Sequence, residues 1–143
     1  MQATPRALAR TLVKGALTAV RQDESIADAA RRLARDNVGA LPVYDGKNHL
    51  CGMITDRDIV VNVVAEGRDP MKTRVGDLRM ERPVTVDADA PVEQAIELME
   101  EHRIRRLPVV DGSECIGIIS QADIARTMPP EKVGELVAHI SAD

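Results

Sequence analysis

Aromatic side chains are almost absent from this sequence. Its 143 residues include one tyrosine, no phenylalanine and no tryptophan, so aliphatic side chains and methionine must form the core. We therefore expect any flat ligand to be held by aliphatic groups rather than by ring stacking. The scarcity also excludes the aromatic platforms that are typical of single-strand nucleic-acid binders.

A surplus of positive charge is absent as well. The formal net charge is −4, with 19 basic and 23 acidic residues, so no global positive field is available to hold a polyanion such as DNA. We therefore expect no nucleic-acid partner. Neither an apolar run of membrane-spanning length nor a secretory leader is present, which predicts a cytoplasmic protein without a membrane segment. The two cysteines, Cys51 and Cys115, are predicted to be buried thiols rather than a disulfide.

Catalytic signatures are missing too. The three histidines lie in different sequence contexts, and there is no HExxH, CxxC, P-loop or Gly-x-Gly-x-x-Gly motif. Asp56 and Asp58 would diverge by about 200° on a helix, which is poor geometry for a carboxylate dyad. We therefore expect neither an enzyme nor a metal site.

What the sequence does contain is an internal repeat. Up to residue 46, matched residues lie 66 positions apart; after one extra residue near His49 the spacing is 65. The matched residues of the first copy include Ala29, Leu41, Pro42, Val43, Asp45, Gly46, Gly52, Ile54, Asp58 and Ile59. A period this long indicates one supersecondary unit used twice. We predict two similar halves related by a pseudo-twofold axis, with binding sites in matched pairs.

Each copy is predicted to run strand, helix, strand, strand, helix. Apolar residues at helical spacing predict a first helix from about Glu24 to Asn37. Its counterpart has the same stripe from Val92 to Met99 with Pro91 in its first turn, and Asp23 and Asp89 are the expected caps. Asp-Gly turns predict a hairpin in each copy. The second helices are predicted from Asp56 to about Ala65 and from Gln121 to about Met128, stopped by Gly67 and by Pro129-Pro130.

The boundaries follow from the same pattern. The first repeat is predicted at residues 7–68 and the second at 73–130, with a C-terminal helix or tail at 131–143 and a mobile end before residue 7. A chain of this length buries roughly two-thirds of its unfolded surface as one body, so both repeats are expected to form one module.

A matched motif closes each hairpin, at Gly52–Asp58 and Gly117–Asp123. In both copies a hydroxyl residue, Thr55 or Ser120, is followed three residues later by an acid, Asp58 or Asp123. This pattern is close to a capping box, which would stabilise each helix by roughly 1 kcal/mol. A purely capping role is one interpretation of the motif and a binding role is the other.

This motif, the Leu-Pro-Val-x-Asp-Gly hairpin and the tandem repetition together resemble the CBS domain pair, named after cystathionine β-synthase. The match covers roughly Ala9 to Met128. The run Thr-Asp-Arg-Asp-Ile from Thr55 is similar to the stand-alone two-repeat members of the hypoxic-response type. The resemblance implies an α+β fold with two CBS repeats packed as one module.

The resemblance also implies a cleft between the repeats that receives an adenosine compound. Asp58 and Thr55 would contact the ribose in one site, and Asp123 and Ser120 in the other. A carboxylate offers paired acceptors to a vicinal diol, and helix N-termini favour phosphate. Because Pro42 and Pro108 remove a donor from their strands, we expect them at an edge or on the wall of such a cleft.

The two sites are not equivalent. Arg105 and Arg106 precede the second proline, where guanidinium groups suit phosphate oxygens, and Arg57 is a further candidate for that role. The alternative is that this basic run is a solvated helix end favoured by the macrodipole. In the first repeat Gly39-Ala40 leaves room and no charge, which predicts an empty site or a nucleoside-like ligand.

These observations predict a regulatory sensor without enzymatic activity or a catalytic cofactor. Its ligand is expected to be AMP, ADP or ATP, with S-adenosylmethionine or NAD as related options. The module would signal by conformational change to an effector protein that the sequence does not identify, and the resemblance suggests a homodimer. The alternative function is a protein-interaction or dimerisation module whose clefts bind no ligand.

Overall fold

The computed structural model describes residues 7–13, 17–126 and 130–141. These residues form two three-stranded sheets flanked by helices, so the predicted α+β class is confirmed. The predicted mobile end lies outside the described residues, as do Met128 and Pro129. The helix predicted to run from Gln121 to about Met128 ends earlier, at Ala125, with Arg126 as its C-cap. None of the described helices combines the length and the hydropathy that a membrane-spanning segment needs.

The elements follow the predicted order twice. The strands are β1 (Val20–Arg21), β2 (Ala40–Tyr44), β3 (Leu50–Thr55), β4 (Val86–Asp87), β5 (Arg106–Asp111) and β6 (Glu114–Ser120). The helices are α1 (Ile26–Asp36), α2 (Asp56–Ile59), α3 (Val92–His102), α4 (Gln121–Ala125) and α5 (Pro130–Ser141). Short 3-10 turns lie at Ala9–Leu12 and Val75–Asp77, and a π-helix continues α2 over Val60–Val64.

The chain divides into two packing units. The first-repeat unit is the continuous stretch 18–83, and the second-repeat unit joins the residues up to 17 with those from 84 onward. Each unit has one sheet in which a short parallel strand pairs with the middle strand and the middle strand forms an antiparallel hairpin with the third. The predicted hairpins are thus present in both units.

The two packing units do not coincide with the two sequence repeats, because the leading segments are exchanged. In the second-repeat unit the nitrogen of Ala9 donates to the oxygen of Ala90 at 2.8 Å, and the nitrogen of Val92 donates to Ala7 at 2.9 Å. The matched bonds of the first-repeat unit run from Val75 to Glu24 at 2.8 Å and from Ile26 to Thr73 at 2.9 Å. The segment that opens each repeat therefore completes the unit of the other repeat.

The helix starts correct one local prediction. The N-cap of α1 is Ser25, whose Oγ accepts from the nitrogen of Asp28 at 3.0 Å, and not Asp23. At α3 the cap position is Pro91 without a side-chain hydrogen bond, while the carboxylate of Asp89 binds Arg10 instead. The predicted acidic caps are wrong because each helix begins two residues later than those positions require.

Aliphatic side chains form the core of each unit, as the composition predicts. In the first-repeat unit Leu41, Val43, Ile54 and Val63 are fully buried. In the second-repeat unit the matched strands contribute Leu107, Val109 and Ile119, and α5 adds Leu136 and Ile140 against Met99 and Ile124. Cys115 is buried and Cys51 is partly buried, and the two do not form a disulfide.

Candidate functional site

The first candidate site lies where β2 begins, β3 ends and α2 starts. Ala40 pairs with Thr55 and Pro42 pairs with Met53 across the hairpin. Paired residues, and residues two apart on a strand, share one face of the sheet, so these four residues face the same way. Leu41 lies on the opposite, core-facing side. The predicted residues Ala40, Pro42 and Thr55 are thus brought together on the face opposite Leu41, where Ala40 and Pro42 are buried and Thr55 is partly exposed.

The second candidate site has the same construction in the other unit. Arg106 pairs with Ser120 and Pro108 pairs with Ile118, so these four residues share one face. The core-facing residues of β5 and β6 include Leu107 and Ile119, which are fully buried. The predicted residues Arg106, Pro108 and Ser120 therefore adjoin one another as their counterparts do.

The prolines lie where their strands lack a partner on one side. The parallel strand β1 reaches only Val43 and Tyr44, and β4 reaches only Val109 and Val110. Pro42 precedes the paired stretch in β2, and Pro108 precedes it in β5. β2 and β5 are the middle strands of their sheets, so the prolines are not on edge strands, but their missing backbone donors break no ladder bond to the short parallel strands.

The hydroxyl and acidic residues of the motif form a capping box at both sites. At α2 the nitrogen of Thr55 donates to Asp58 Oδ2 at 2.9 Å, and the nitrogen of Asp58 donates to Thr55 Oγ1 at 3.1 Å. At α4 the matched distances for Ser120 and Asp123 are 2.8 and 3.3 Å. The capping interpretation of the motif is therefore realised in the structure.

Capping occupies only half of each carboxylate. Both capping bonds to the acids end on Oδ2, and within the described residues no group donates to Asp58 Oδ1. At the second site the matched oxygen, Asp123 Oδ1, lies 3.6 Å from Arg126 Nη2, with 23% of the Asp123 side chain exposed. A carboxylate has two oxygens with about four acceptor positions, so a cap and a ligand can share one aspartate.

The three predicted arginines are all exposed, and the structure places them differently. Arg57 is the second residue of α2, beside Asp58. Arg106 starts β5 opposite Ser120, and the carbonyl oxygen of Arg105 accepts from the nitrogen of Gln121 at 3.2 Å. Arg105 and Arg106 thus both adjoin the residues that begin α4, where the second capping box lies.

The motif glycines have a packing role that the sequence did not assign. A Cβ on Gly117 would lie 2.0 Å from Val13 Cγ1, and one on Gly52 would lie 2.8 Å from Met80 Sδ. Val13 and Met80 both follow a 3-10 turn that packs against the unit. These glycines make room for the exchanged segments rather than for a ligand.

The model of the CBS domain matches residues 9–65 and 75–129, which together are well over half of the chain. The chain belongs to the CBS domain family. The CBS pair that the sequence predicted is therefore confirmed, and the matched hairpins and capping boxes are the structural content of the two CBS repeats.

Relatives and solved structures of CBS proteins agree over nearly the whole chain. Hypoxic response protein 1 of Mycobacterium tuberculosis is 36% identical over 132 residues, 92% of each chain. A crystal structure of Hypoxic Response Protein I with two coordinated zinc ions covers 86% of this chain and 100% of its own, with a TM-score of 0.74 and 37% identity. The CBS domain pair of protein MJ0100 in complex with 5′-methylthioadenosine and S-adenosyl-L-methionine covers 86% and 96%, with a TM-score of 0.73 and 27% identity.

The zinc ions in the structure of Hypoxic Response Protein I raise the question of whether this CBS pair can hold a metal. Within residues 7–13, 17–126 and 130–141, no group of three or more His, Cys, Asp and Glu side chains is arranged to bind an ion. His139 Nδ1 lies 3.8 Å from Glu100 Oε1, which is one pair and not a coordination shell. The described residues therefore do not fit a zinc site.

Sequence reasoning missed several residues of the two candidate sites. Met53 and Ile118 share the face of Thr55 and Ser120, because each lies two residues before the hydroxyl on the same strand. Asp56 and Gln121 directly follow those hydroxyl residues. Their backbone nitrogens donate to the carbonyl oxygens of Gly39 and Arg105, which directly precede β2 and β5. Strand alternation could have identified the first pair, whereas the second requires the hairpin register.

Proposed function

We propose that this CBS pair is a non-catalytic regulatory module that binds adenosine compounds at the two candidate sites. The observation that carries the proposal is that Asp58 caps α2 with Oδ2 alone. Its Oδ1 accepts no hydrogen bond from the described residues and is available to a ligand. Asp123 repeats the arrangement, with Arg126 as the only described cation near Oδ1.

Ribose is the part of the ligand that suits these aspartates. A vicinal diol presents two adjacent hydroxyl donors, and a carboxylate held by its own helix start presents a fixed acceptor to them. Because the capping box fixes the rotamer of Asp58 before any ligand binds, little conformational entropy is lost on binding. Met53, which is partly exposed on the same face as Thr55, provides an aliphatic surface for the base.

The solved neighbours support this ligand class. MJ0100, at 27% identity, is a CBS pair in complex with two adenosyl compounds, one of them the S-adenosylmethionine that the sequence suggested as an option. For the present chain we propose AMP, ADP or ATP first, because Arg105 and Arg106 adjoin the second candidate site. Charge-assisted bonds from guanidinium groups to phosphate are about twice as strong as neutral ones.

Calorimetric titration tests the proposal. The purified chain and its Asp58→Ala and Asp123→Ala variants would be titrated with AMP, ADP, ATP, S-adenosylmethionine and NAD. We expect binding that one or both substitutions abolish, and weaker discrimination among the nucleotides in Arg105→Ala.

The control for lost capping is Asp77→Ala. Asp77 Oδ2 accepts from the nitrogen of Arg74 at 2.8 Å, the same local bond as that of Asp58, yet it lies outside the candidate sites. We expect Asp77→Ala to lower stability about as much as Asp58→Ala while leaving ligand affinity unchanged. Silence of the folded protein towards the whole panel would contradict the proposal and favour the interaction module.

A specific surface favours self-association as part of the same function. Val60, Val61 and Val64 of the π-helix are 57%, 44% and 62% exposed. We propose that the module forms a homodimer through these exposed valines. A ligand can shift the dimer between two conformations only if it binds them with different affinities, and an effector protein would recognise the ligand-bound conformation. A monomer in sedimentation equilibrium at micromolar concentration would contradict it, and Val64→Glu is expected to weaken the dimer.

A further inference from the structure

The two candidate sites differ in charge at five matched positions. The first site has Gly39, Ala40, Asp56, Arg57 and Val61, and the second has Arg105, Arg106, Gln121, Ala122 and Arg126. Four of the exchanges make the second site more positive, and only that of Arg57 for Ala122 has the opposite sign. Together they separate two sites that share one backbone construction.

Among these positions, the residue directly after the capping hydroxyl makes the same backbone hydrogen bond in both units. The nitrogen of Asp56 donates to the oxygen of Gly39 at 3.1 Å, and the nitrogen of Gln121 donates to that of Arg105 at 3.2 Å. Asp56 is exposed, and its Oδ1 accepts from the nitrogen of Arg57 at 2.8 Å. One backbone location therefore carries a carboxylate in the first unit and a neutral amide in the second.

The amide of Gln121 has a donor without an acceptor. Its Nε2 is buried and makes no hydrogen bond to any described residue. A buried donor left unpaired destabilises the protein until an acceptor reaches it. The neutral amide does not repel an anionic ligand at the start of α4, whereas the carboxylate of Asp56 would repel one at the start of α2.

The charge beside the motif aspartate also differs between the two sites, and it is again more positive at the second site. At the second site Arg126 Nη2 lies 3.6 Å from Asp123 Oδ1, so the charge of the carboxylate is partly offset. The matched residue of the first site is Val61, which offers no charge. A phosphate therefore approaches Asp123 beside three arginines, whereas beside Asp58 the single positive charge of Arg57 is offset by the carboxylate of Asp56.

We infer that the two sites select ligands that differ in charge, with position 56/121 as a specificity determinant. The second site takes an adenosine compound that carries phosphate, and the first takes an uncharged or positively charged one. This inference rests on the proposed adenosine-binding function. It means that the module compares two kinds of adenosine compound instead of binding one kind twice.

Adenosine and AMP are the probes, since they differ only by the phosphate. In full-length Asp123→Ala, which reports the first site, we expect adenosine to bind at least about tenfold more tightly than AMP. Isosteric Asp56→Asn should bring the two affinities to within about threefold. In Asp58→Ala, which reports the second site, AMP should be preferred about tenfold, and Gln121→Glu or Gln121→Asp should reduce that preference at least about fivefold.

The control is Asp23→Asn, which removes an exposed charge from the first-repeat unit outside the site. It should leave both affinities within about twofold, because exposed charges are screened over roughly 10 Å. Equal preference for AMP at both sites, unaffected by Asp56→Asn and Gln121→Glu, would overturn charge selection while leaving adenosine binding in place. Failure of both probes to bind any folded variant or the unmodified chain would overturn the proposed function as well.

Discussion

Gly117→Ala tests the exchange of leading segments most directly. The added Cβ would lie 2.0 Å from Val13 Cγ1 and 2.7 Å from Cγ2, whereas ordinary contacts begin near 3.4 Å. Val13 would have to retreat by about 1.4 Å to reach that distance. Its side chain is short and branched and has one preferred rotamer, so the segment itself must move.

The clash with Val13 can be relieved in two ways, and their costs determine the expected loss of stability. Strained accommodation of an extra methyl group in a packed interior costs typically about 1–3 kcal/mol. Detachment of residues 7–13 would instead expose Leu12, whose burial alone is worth roughly 1.5–3 kcal/mol, and break the bonds of Ala9 and Arg10. The routes are similar in cost, so we expect Gly117→Ala to lower the free energy of unfolding by about 1–3 kcal/mol.

Urea unfolding followed by circular dichroism measures this difference, and Gly46→Ala provides the matched control. A Cβ added to Gly46 would meet no other atom within 4 Å, so this substitution should change stability by less than about 0.5 kcal/mol. Gly52→Ala should fall between the two, because the thioether of Met80 can partly move aside. If Gly117→Ala is as stable as Gly46→Ala, Val13 does not pack there and the exchange is wrong.

Three further predictions concern the first helix of each repeat and its surroundings. Arg103 ends α3 with φ of 54°, so Arg103→Gly should raise the free energy of unfolding by about 0.5–1 kcal/mol, and Arg103→Lys should not. Ser25→Ala should cost about 1 kcal/mol in the same urea assay without changing ligand affinity, because only the cap of α1 is lost. A hydrogen bond from Arg32 lowers the pKa of Glu24, so the stabilisation is present above about pH 4.3 and is lost as the pH falls through the lowered pKa. The stability difference between the unmodified chain and Glu24→Gln should therefore shrink in acid, and a difference that grows there would contradict the assignment.

The repeat was the part of the fold that could be predicted best. Matched apolar spacing fixed the helices and the hairpins because each depends on residues close in sequence. The capping boxes were likewise visible, since Thr55 and Asp58 are three residues apart. The cap of α1 was missed because Ser25 and Asp23 are both good cap residues, and only the tertiary bond from Ile26 to Thr73 sets where that helix begins.

The residues of the candidate sites could be predicted from the sequence, but the burial and the register of the residues around them could not. The motif identified Asp58 and Asp123, and the i,i+3 spacing of Asp123 and Arg126, with Val61 at the matched place, could also have been recognised. The unpaired amide of Gln121 is a consequence of burial, which depends on the packing of the whole unit. Charge differences between the sites became meaningful only when the hairpin register aligned Asp56 with Gln121.

The exchanged segments also impose an order on synthesis. Residues 18–83 form their unit from one continuous stretch, so it can fold as soon as that stretch leaves the ribosome. Residues 7–13 emerge first but must wait for Ala88, Ala90 and Val92, on the order of ten seconds at ordinary rates of elongation. During that time an apolar segment with Leu12 and Val13 is unpaired. A second-repeat unit on a neighbouring nascent chain offers it the same partners, so crowded synthesis favours chains that exchange this segment with one another.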